Sequence, residues 1–562
     1  MNKYLSIADI VVFLIYLVIV GAYGYWIYSR KKKAVTDTKD FFLAEGSLTW
    51  WAIGASLIAS NISAEQFIGM SGNGFFVGIA VAAYEWLAAV ALIIIAVWFI
   101  PIYLKNKIYT MPQFLKMRYN ETVALIMAVF WLFLYVFVNL TSILYLGAIA
   151  INGLLGGEYL HVVMIALAIA AVLITLGGMK VIGYTDVIQV AVLIIGGLAT
   201  TYMALTIVGE KFGVGSDAIA GFKVLLKDAP EHFHMILPKP TEATSQEDVN
   251  KYLILPGILM YIAGQWIVNL NYWGCNQYIT QRALGADLQT ARTGILFAGM
   301  LKLMMPVIVM LPGIAAYVLY KNGHLPQLVG GMDGAYSAVL GFLPSGLKGL
   351  SVAALTAAIV ASLAGKANSI STIFTLDIYK KYMNKGADEG KMVWTGRLVV
   401  LFSMIIAILF TWNDLLGIGS AGGFTFIQKY TGYISPGVFA VFLLGMFWKR
   451  TTGSAAIVGI LLGFVLSVFF NEFAPAVFGN ETWLYTAYYN SDAKVYQIPF
   501  LICMGFAFFF TVPVMVAMSL AGPKINPKSF VHDPGMFKVK PATMVQIVVT
   551  VLILMALYIK FW

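Results

Sequence analysis

Along this chain, apolar runs of about twenty residues alternate with short polar connections, and about twenty residues is the length a helix needs to cross a bilayer. Counting the runs predicts about fourteen spans. They centre near Tyr16, Ser63, Ala89, Leu134, Ala168, Ile195, Ile267, Met305, Val360, Met404, Phe439, Leu462, Phe508 and Leu552. Strict alternation of apolar and polar positions with short turns is absent, which favours helices over a barrel. Two polar interruptions are longer: 209–251, with the loop-like LPKPTEATSQEDVN, and 471–497, rich in Asn and Tyr.

Two of the runs carry polar groups where a span should be oily. ASNISAEQFIGMSGNG, over 59–74, places Asn61, Ser63, Glu65 and Gln66 at membrane depth. Such groups are expensive in hydrocarbon unless they face a cavity or a partner. Their Gly, Ser and Asn neighbours argue for a broken helix rather than a continuous one. The second interruption surrounds NLNYWGCNQ, over 269–277. Four spans separate the two, so the broken helices are the second and the seventh. That spacing is expected of two five-helix units, each beginning with a broken helix, and it places a substrate site at the midplane where the breaks meet. The implied division is an extra N-terminal span and cytoplasmic loop (1–50), a first repeat (51–208), an extracellular loop (209–251), a second repeat (252–446) and C-terminal spans (447–562).

Composition agrees: 60% of the 562 residues are hydrophobic and 11% charged, and the mean hydropathy is +0.85. Soluble domains run at about 45–50% apolar and 25% charged. The chain is therefore read as an all-α polytopic membrane protein whose solvent is the lipid bilayer. A net charge of +10 is the sign that nucleic acid attracts, but the cations collect in alternate connections. Lys31–Lys33, Lys105–Arg118, Arg282 with Arg292, and Lys380–Lys391 are examples. That is the positive-inside pattern, and no nucleic-acid partner is expected. With an even span count, both termini are expected on the extracytoplasmic side of the cell membrane. The run over 7–28 has no clear cleavage site after it and is read as an uncleaved span rather than a signal peptide. Cys275 and Cys503 both lie in apolar segments and are read as inert buried thiols.

No P-loop, H-E-x-x-H or EF-hand pattern is present, which argues against an ATP-driven pump and against an enzyme. His232 and His234 are read as a solvated surface pair. The intramembrane ionisable residues carry more information: Glu65, Glu85, Asp186, Lys302 and Lys366. Glu85, between Tyr84 and Trp86, resembles a sugar-binding arrangement, with a carboxylate accepting hydroxyl hydrogen bonds beside an aromatic face. A structural interhelical bond is the alternative for Glu85, and a helix cap the alternative for Asp186.

Long ordered blocks then point to a family. ASNISAEQFIGMSG, NLTSILYLG, YTDVIQ, NYWGCNQYITQR, NSISTIFTLDIYKKY and FIQKYTGYISPGVFAVFLLGMFWKRTT resemble those of the solute–sodium symporters, most closely the sodium/sugar cotransporter branch. The resemblance runs nearly end to end. It implies a LeuT-like core of five plus five helices in inverted repeat with discontinuous first helices. It also implies symport of a hexose with Na⁺ as coupling ion. The implied sugar-binding residues are Gln66, Glu85, Asn269, Lys302 and Gln428, with Asn61 beside them. Tyr272 is the implied inner gate, and Met70, Tyr84 and Phe424 the outer gate. The implied sodium positions are Ala59, Ile62, Ala358, Ala361 and Ser362.

The ion half departs from the pattern, since Ala361–Ser362 stands where the family places two adjacent serines. One helical turn on, Lys366 falls on the same face as Ser362. Its ammonium could replace the cation or pair with Asp186, which matches the family's ion-exit carboxylate; snorkelling toward the cytoplasm, or a bond to a neighbouring carbonyl, is the plainer reading. The expectation is sodium-driven sugar symport. A Na⁺-independent or proton-linked carrier, and a non-transporting sugar sensor, are the rivals.

Overall fold

A computed structural model describes residues 5–15, 18, 19, 22 and 49–562, apart from 109, 177, 178, 285, 326, 327 and 531. The span expected around Tyr16 falls largely outside the described residues. Every expected centre from Ala89 onward lies inside a helix. Ten helices among the described residues are long and apolar enough to cross a membrane, and one bent pair could make an eleventh.

The first broken span consists of α1 (Trp50–Asn61), a π-helical turn (Glu65–Met70) and α2 (Ser71–Phe76). Then come α3 (Ala83–Ile94), α4 (Glu121–Phe133), α5 (Thr141–Leu154), α6 (Leu160–Leu176) and α7 (Met179–Lys211). A π turn at Leu134–Leu140 joins α4 to α5. After the long polar connection follow α8 (Gln265–Cys275), α9 (Leu288–Val309), α10 (Leu347–Thr372), α11 (Glu389–Thr411) and α12 (Gly423–Phe447). The chain ends with α13 (Gly453–Val468), α14 (Phe500–Leu520) and α15 (Pro541–Phe561).

The second break differs in detail from the sequence expectation. Residues 269–275 are helical within α8, and the interruptions flank them. Gln246–Ile262 and Gln265–Cys275 meet at 78°, and Asn276 is extended (φ −97°, ψ 122°). The polar residues are thus carried by a short helix between two breaks.

Position in the bundle sorts the spans. In the span that holds α10, 83% of the most apolar window is buried, against 11% for α15. With no water in the hydrocarbon, the exposed apolar side chains of α15, such as Val548, Leu552 and Ile559, match its lipid-facing position. α1 packs on α9, α9 on α3, α12 on α13, and α10 on α6 and α7.

Two of the cations counted as cytoplasmic are buried. Arg118 is fully buried and donates to the carbonyls of Gly445 (2.7 Å), Trp448 (3.0 Å) and Thr451 (3.0 Å). It thereby closes the C-terminal end of α12, where orphan carbonyls and the helix dipole favour a cation. Arg292 does similar work for Ala96 (3.0 Å), Met536 (2.6 Å) and Lys538 (2.8 Å), tying the segment before α15 to the bundle.

The long polar connections are not bare loops. The first contains helices Ala218–Asp228 and Gln246–Ile254, and the second a short hairpin pairing Tyr488–Asn490 with Val495–Gln497. His232 is 1% exposed, stacks on Tyr317 with ring centroids 3.9 Å apart, and has Nε2 3.0 Å from the Phe75 carbonyl. The expectation of a solvated pair therefore holds for His234, which is exposed, and fails for His232, which docks against Tyr317 and the Phe75 carbonyl. Both cysteines are buried and free, as expected.

Candidate functional site

The first break interrupts the helical backbone between α1 and the π-helical turn. Ile62 is extended (φ −74°, ψ 111°) and ends α1. The Ser63 N–H, which a continuing helix would direct to the Ala59 carbonyl, donates instead to Gln66 Oε1 at 3.2 Å. Ser63 Oγ donates to the same oxygen at 3.2 Å. The sequence ASNISAEQ thus turns its own backbone out of the helix at Ile62, and the C-terminal carbonyls of a helix are the kind of oxygen a hard cation prefers.

Beside this break lies one cavity. Its wall combines Asn61, Glu65 and Gln66 from the break with Tyr84 and Glu85 from α3. It also takes Asn269, Tyr272 and Trp273 from α8, Lys302 from α9, and Phe424 and Gln428 from α12. Every residue that the resemblance marked as a sugar ligand is on this wall. Lys302 joins the set: 1% exposed, it bonds both Glu85 Oε2 and Asn61 Oδ1, and lies 5.2 Å above the Trp273 ring. Asn61 Nδ2 in turn donates to the Tyr272 hydroxyl at 3.3 Å. Glu85 is therefore both an interhelical partner and a potential sugar ligand, with one oxygen committed to Lys302. Asn269 donates to the Gln265 carbonyl one turn back at 2.9 Å.

Two of the three residues expected to form the outer gate touch each other. Tyr84 and Phe424 pack edge to face at 5.0 Å, and Met70 is fully buried. A Cβ on Gly69 would lie 2.8 Å from the Cβ of Phe424, so only glycine lets the start of α12 come this close to the π turn.

The same wall holds residues that sequence reasoning did not assign as ligands: Glu65, Asn139, Asn276 and Thr431. Asn139 stood in a quoted block, as a lone amide in an apolar run, which was the available signal. Lys366 is 7% exposed, bonds Asn139 Oδ1 at 3.4 Å and lies 5.0 Å from the Tyr135 ring centroid. It faces into the bundle toward Glu65, and the snorkelling reading is not what the structure shows. Glu65 Oε1 has no hydrogen-bond partner among the described residues.

Ile62 and Ala358 are buried, whereas Ala361 and Ser362 are half-buried on α10 and lie outside the described wall of the cavity. The side chains of Ala59 and Asp186 lie outside the described residues, and with them the expectations placed there. Among the described residues no group of His, Cys, Asp or Glu forms a metal cluster. A Na⁺ site made of carbonyl and hydroxyl oxygens needs no such cluster.

The sequence profile of the sodium:solute symporter family matches residues 41–463. The chain belongs to the sodium:solute symporter family. It is 42% identical to the sodium/glucose cotransporter of Vibrio parahaemolyticus over 99% of both chains. It is 34% identical to human sodium/myo-inositol cotransporter 2 over 83% of this chain and 70% of that one. Mouse sodium/glucose cotransporter 1 is 33% identical over 82% and 71%. Among solved structures, a Na⁺-coupled sialic acid symporter in a substrate-bound outward-open state superposes with a TM-score of 0.72, at 19% identity, covering 93% of this chain and 99% of that one. The fold is thus the LeuT-like transporter fold, the coupling ion is Na⁺, and the chain is a multi-pass membrane protein.

Proposed function

We propose that this family member takes up a hexose or a close relative together with Na⁺, by alternating access across the cell membrane, with both termini extracytoplasmic. The observation that carries this reading is the single cavity onto which Gln66, Glu85, Asn269, Lys302 and Gln428 converge beside the rings of Tyr272 and Trp273. Its ionisable groups, Glu65 and Glu85 against Lys302 and Lys366, are equal in number and opposite in sign. Such a lining suits a neutral polyhydroxylated solute, whose hydroxyls both donate and accept, better than a carboxylate or an amine. The names of the sodium/glucose and sodium/myo-inositol relatives agree with that chemistry.

In this reading Asn61, Gln66, Glu85, Asn269, Lys302 and Gln428 bind the hydroxyls, while Tyr272 supports the ring and closes the inner side. Met70, Tyr84 and Phe424 close the outer side. Na⁺ binds the carbonyls of Ala59, Ile62 and Ala358 and the hydroxyl of Ser362, beside Ala361, and leaves past Asp186. Holding the broken helix in place, the ion preforms the Asn61–Gln66 surface, so ion and sugar bind through one conformational equilibrium. Lys366 stands one turn from Ser362, and an ammonium there weakens Na⁺ binding.

Uptake of labelled galactose and glucose into proteoliposomes, with and without a Na⁺ gradient, tests the proposal. Concentrative uptake that requires the gradient is the expected result. Uptake unaffected by Na⁺ would sink the symport reading, and saturable sugar binding with no uptake would sink transport altogether.

A further inference from the structure

A carboxylic acid that has no part in the proposed sugar or ion site lies at the start of α12, next to Phe424 of the cavity wall. Asp333 belongs to a short turn, Gly331–Gly334, in the connection before α10, and is 1% exposed. Its Oδ2 accepts the Gly423 N–H at 2.8 Å. Gly423 is the first residue of α12 and precedes the gate residue Phe424. Asp333 Oδ1 has no hydrogen-bond partner among the described residues. A Cβ on Gly72, in α2, would stand 2.7 Å from that oxygen. One carboxyl therefore lies against both halves of the gate: the outer arm of the broken helix and the N-terminus of the helix that carries Phe424.

We propose that Asp333 is a positioning residue for the transport cycle, a latch that holds the first turn of α12 against the broken helix and keeps the Met70–Tyr84–Phe424 gate shut. This rests on the gate assignment made above. α12 is then held at both ends by hydrogen bonds, with Asp333 accepting at the N-terminus and Arg118 donating at the C-terminus. Arg118 grips three carbonyls, whereas Asp333 holds one N–H, so the N-terminal end is the one that can let go.

The electrostatic setting makes the latch responsive to protons. The turn packs against α2, α5, the π turn Glu65–Met70 and the helix Ala335–Leu340. Those elements bring Tyr145, Tyr336 and, at the far end of the π turn, Glu65, but no Lys, Arg or His. Asp414, in the connection before α12, adds like charge. The first cation along α12 is Lys429, which is paired with Glu472 at 3.0 Å. Burial, with Asp414 adding to it and the Gly423 N–H opposing it, pushes the Asp333 carboxyl up to about 7.

Opening the gate would expose that carboxyl to water, where it titrates near ~4. The shut state thus binds the proton more tightly than the open one. Acidification through pH 7 strengthens the latch, and raising the pH above 7 leaves a buried charge that favours release. Between the two values, the ratio of shut to open changes about tenfold per pH unit.

The test uses the full-length protein in detergent, which removes any dependence on membrane orientation. Ser71, fully buried beside Met70, is changed to Cys, and its labelling rate by a maleimide is measured from about pH 5.5 to 8.0, a window that brackets the Asp333 titration. The same rate is measured in S71C/D333N at each pH, so that the ratio of the two cancels the thiol's own titration. Label on the buried Cys275 and Cys503 is subtracted using the unmodified chain. The amide introduced by D333N keeps an oxygen for the Gly423 N–H but cannot ionise, so the ratio is expected to rise about thirtyfold over this range, with a midpoint near ~7. Asp414→Asn is expected to move that midpoint to lower pH. A ratio that stays constant with pH, or a midpoint that Asp414→Asn leaves in place, overturns the latch. Loss of all sugar uptake alongside a pH-dependent ratio would overturn the transport reading and leave the latch standing.

Discussion

At the Glu85 end of the cavity the polar groups hold one another: Lys302 bridges Glu85 and Asn61, Asn61 reaches Tyr272, and the Trp273 ring lies beside the ammonium. Toward α10 the wall is looser. Glu65 Oε1 is unbonded among the described residues, Lys366 holds Asn139 at 3.4 Å, and Ser362 lies outside the cavity wall. On the proposed assignment of a sugar end and an ion end, the difference teaches where each function's precision resides. Epimers are told apart by fixed donors and acceptors, and a site built to bond a hydroxyl rejects a ligand lacking it because its own groups are left unpaired. An ion that must enter and leave in each cycle is better served by backbone oxygens that a helix break exposes, tuned by nearby charge.

The sharpest way to break this contrast is Glu85→Ala. It strands Lys302 in a buried site, so sugar uptake is expected to vanish and thermal stability to fall by about 3–5 kcal/mol. Glu85→Gln keeps a partner for the ammonium and is expected to fold, with sugar binding lost in equilibrium titration. That outcome separates the structural half of Glu85 from its ligand half.

Next in size is the ion end. Lys366→Met combined with Ala361→Ser removes a like charge and supplies a hydroxyl, and is expected to lower the half-saturating Na⁺ concentration for uptake about tenfold. An unchanged Na⁺ dependence would remove Lys366 from the ion site. Ser362→Ala is expected to raise that concentration several-fold, by about 1 kcal/mol, while Na⁺-independent sugar binding stays as it was.

Gly69→Ala crowds Phe424 and is expected to cost about 1–3 kcal/mol in the shut state. Outward exposure should therefore increase, read as faster labelling of S71C. The smallest expected effect is that of Gln66→Ala on protein stability. Gln66 bonds its own local turn at Ser63, so stability should fall by about 1 kcal/mol. Sugar affinity should drop about tenfold or more. A large stability loss with intact affinity would make Gln66 part of the break rather than of the site.

Much of this was legible in the chain. Apolar runs of span length had to become helices, because only an internally hydrogen-bonded backbone survives in hydrocarbon. ASNISAEQ had to break, since its Ser and Gln side chains compete for the backbone N–H groups that a helix would use. NLNYWGCNQ was the harder case: polar residues marked the neighbourhood, but the bends formed on either side, at 263–264 and at Asn276. His232 was misread because nothing local says that its loop will dock it against Tyr317 and Phe75.

What the sequence determined by itself is local: where helices run, where the first one fails, and which polar residues stand at membrane depth. Tertiary structure decided which of those residues meet. Lys302 chose Glu85 and Asn61, Lys366 turned toward Glu65 and Asn139 rather than toward the interface, and Asp333 came to rest on the first residue of α12. A buried charge takes whichever partner the packing of distant helices brings within reach, and no local pattern contains that distance.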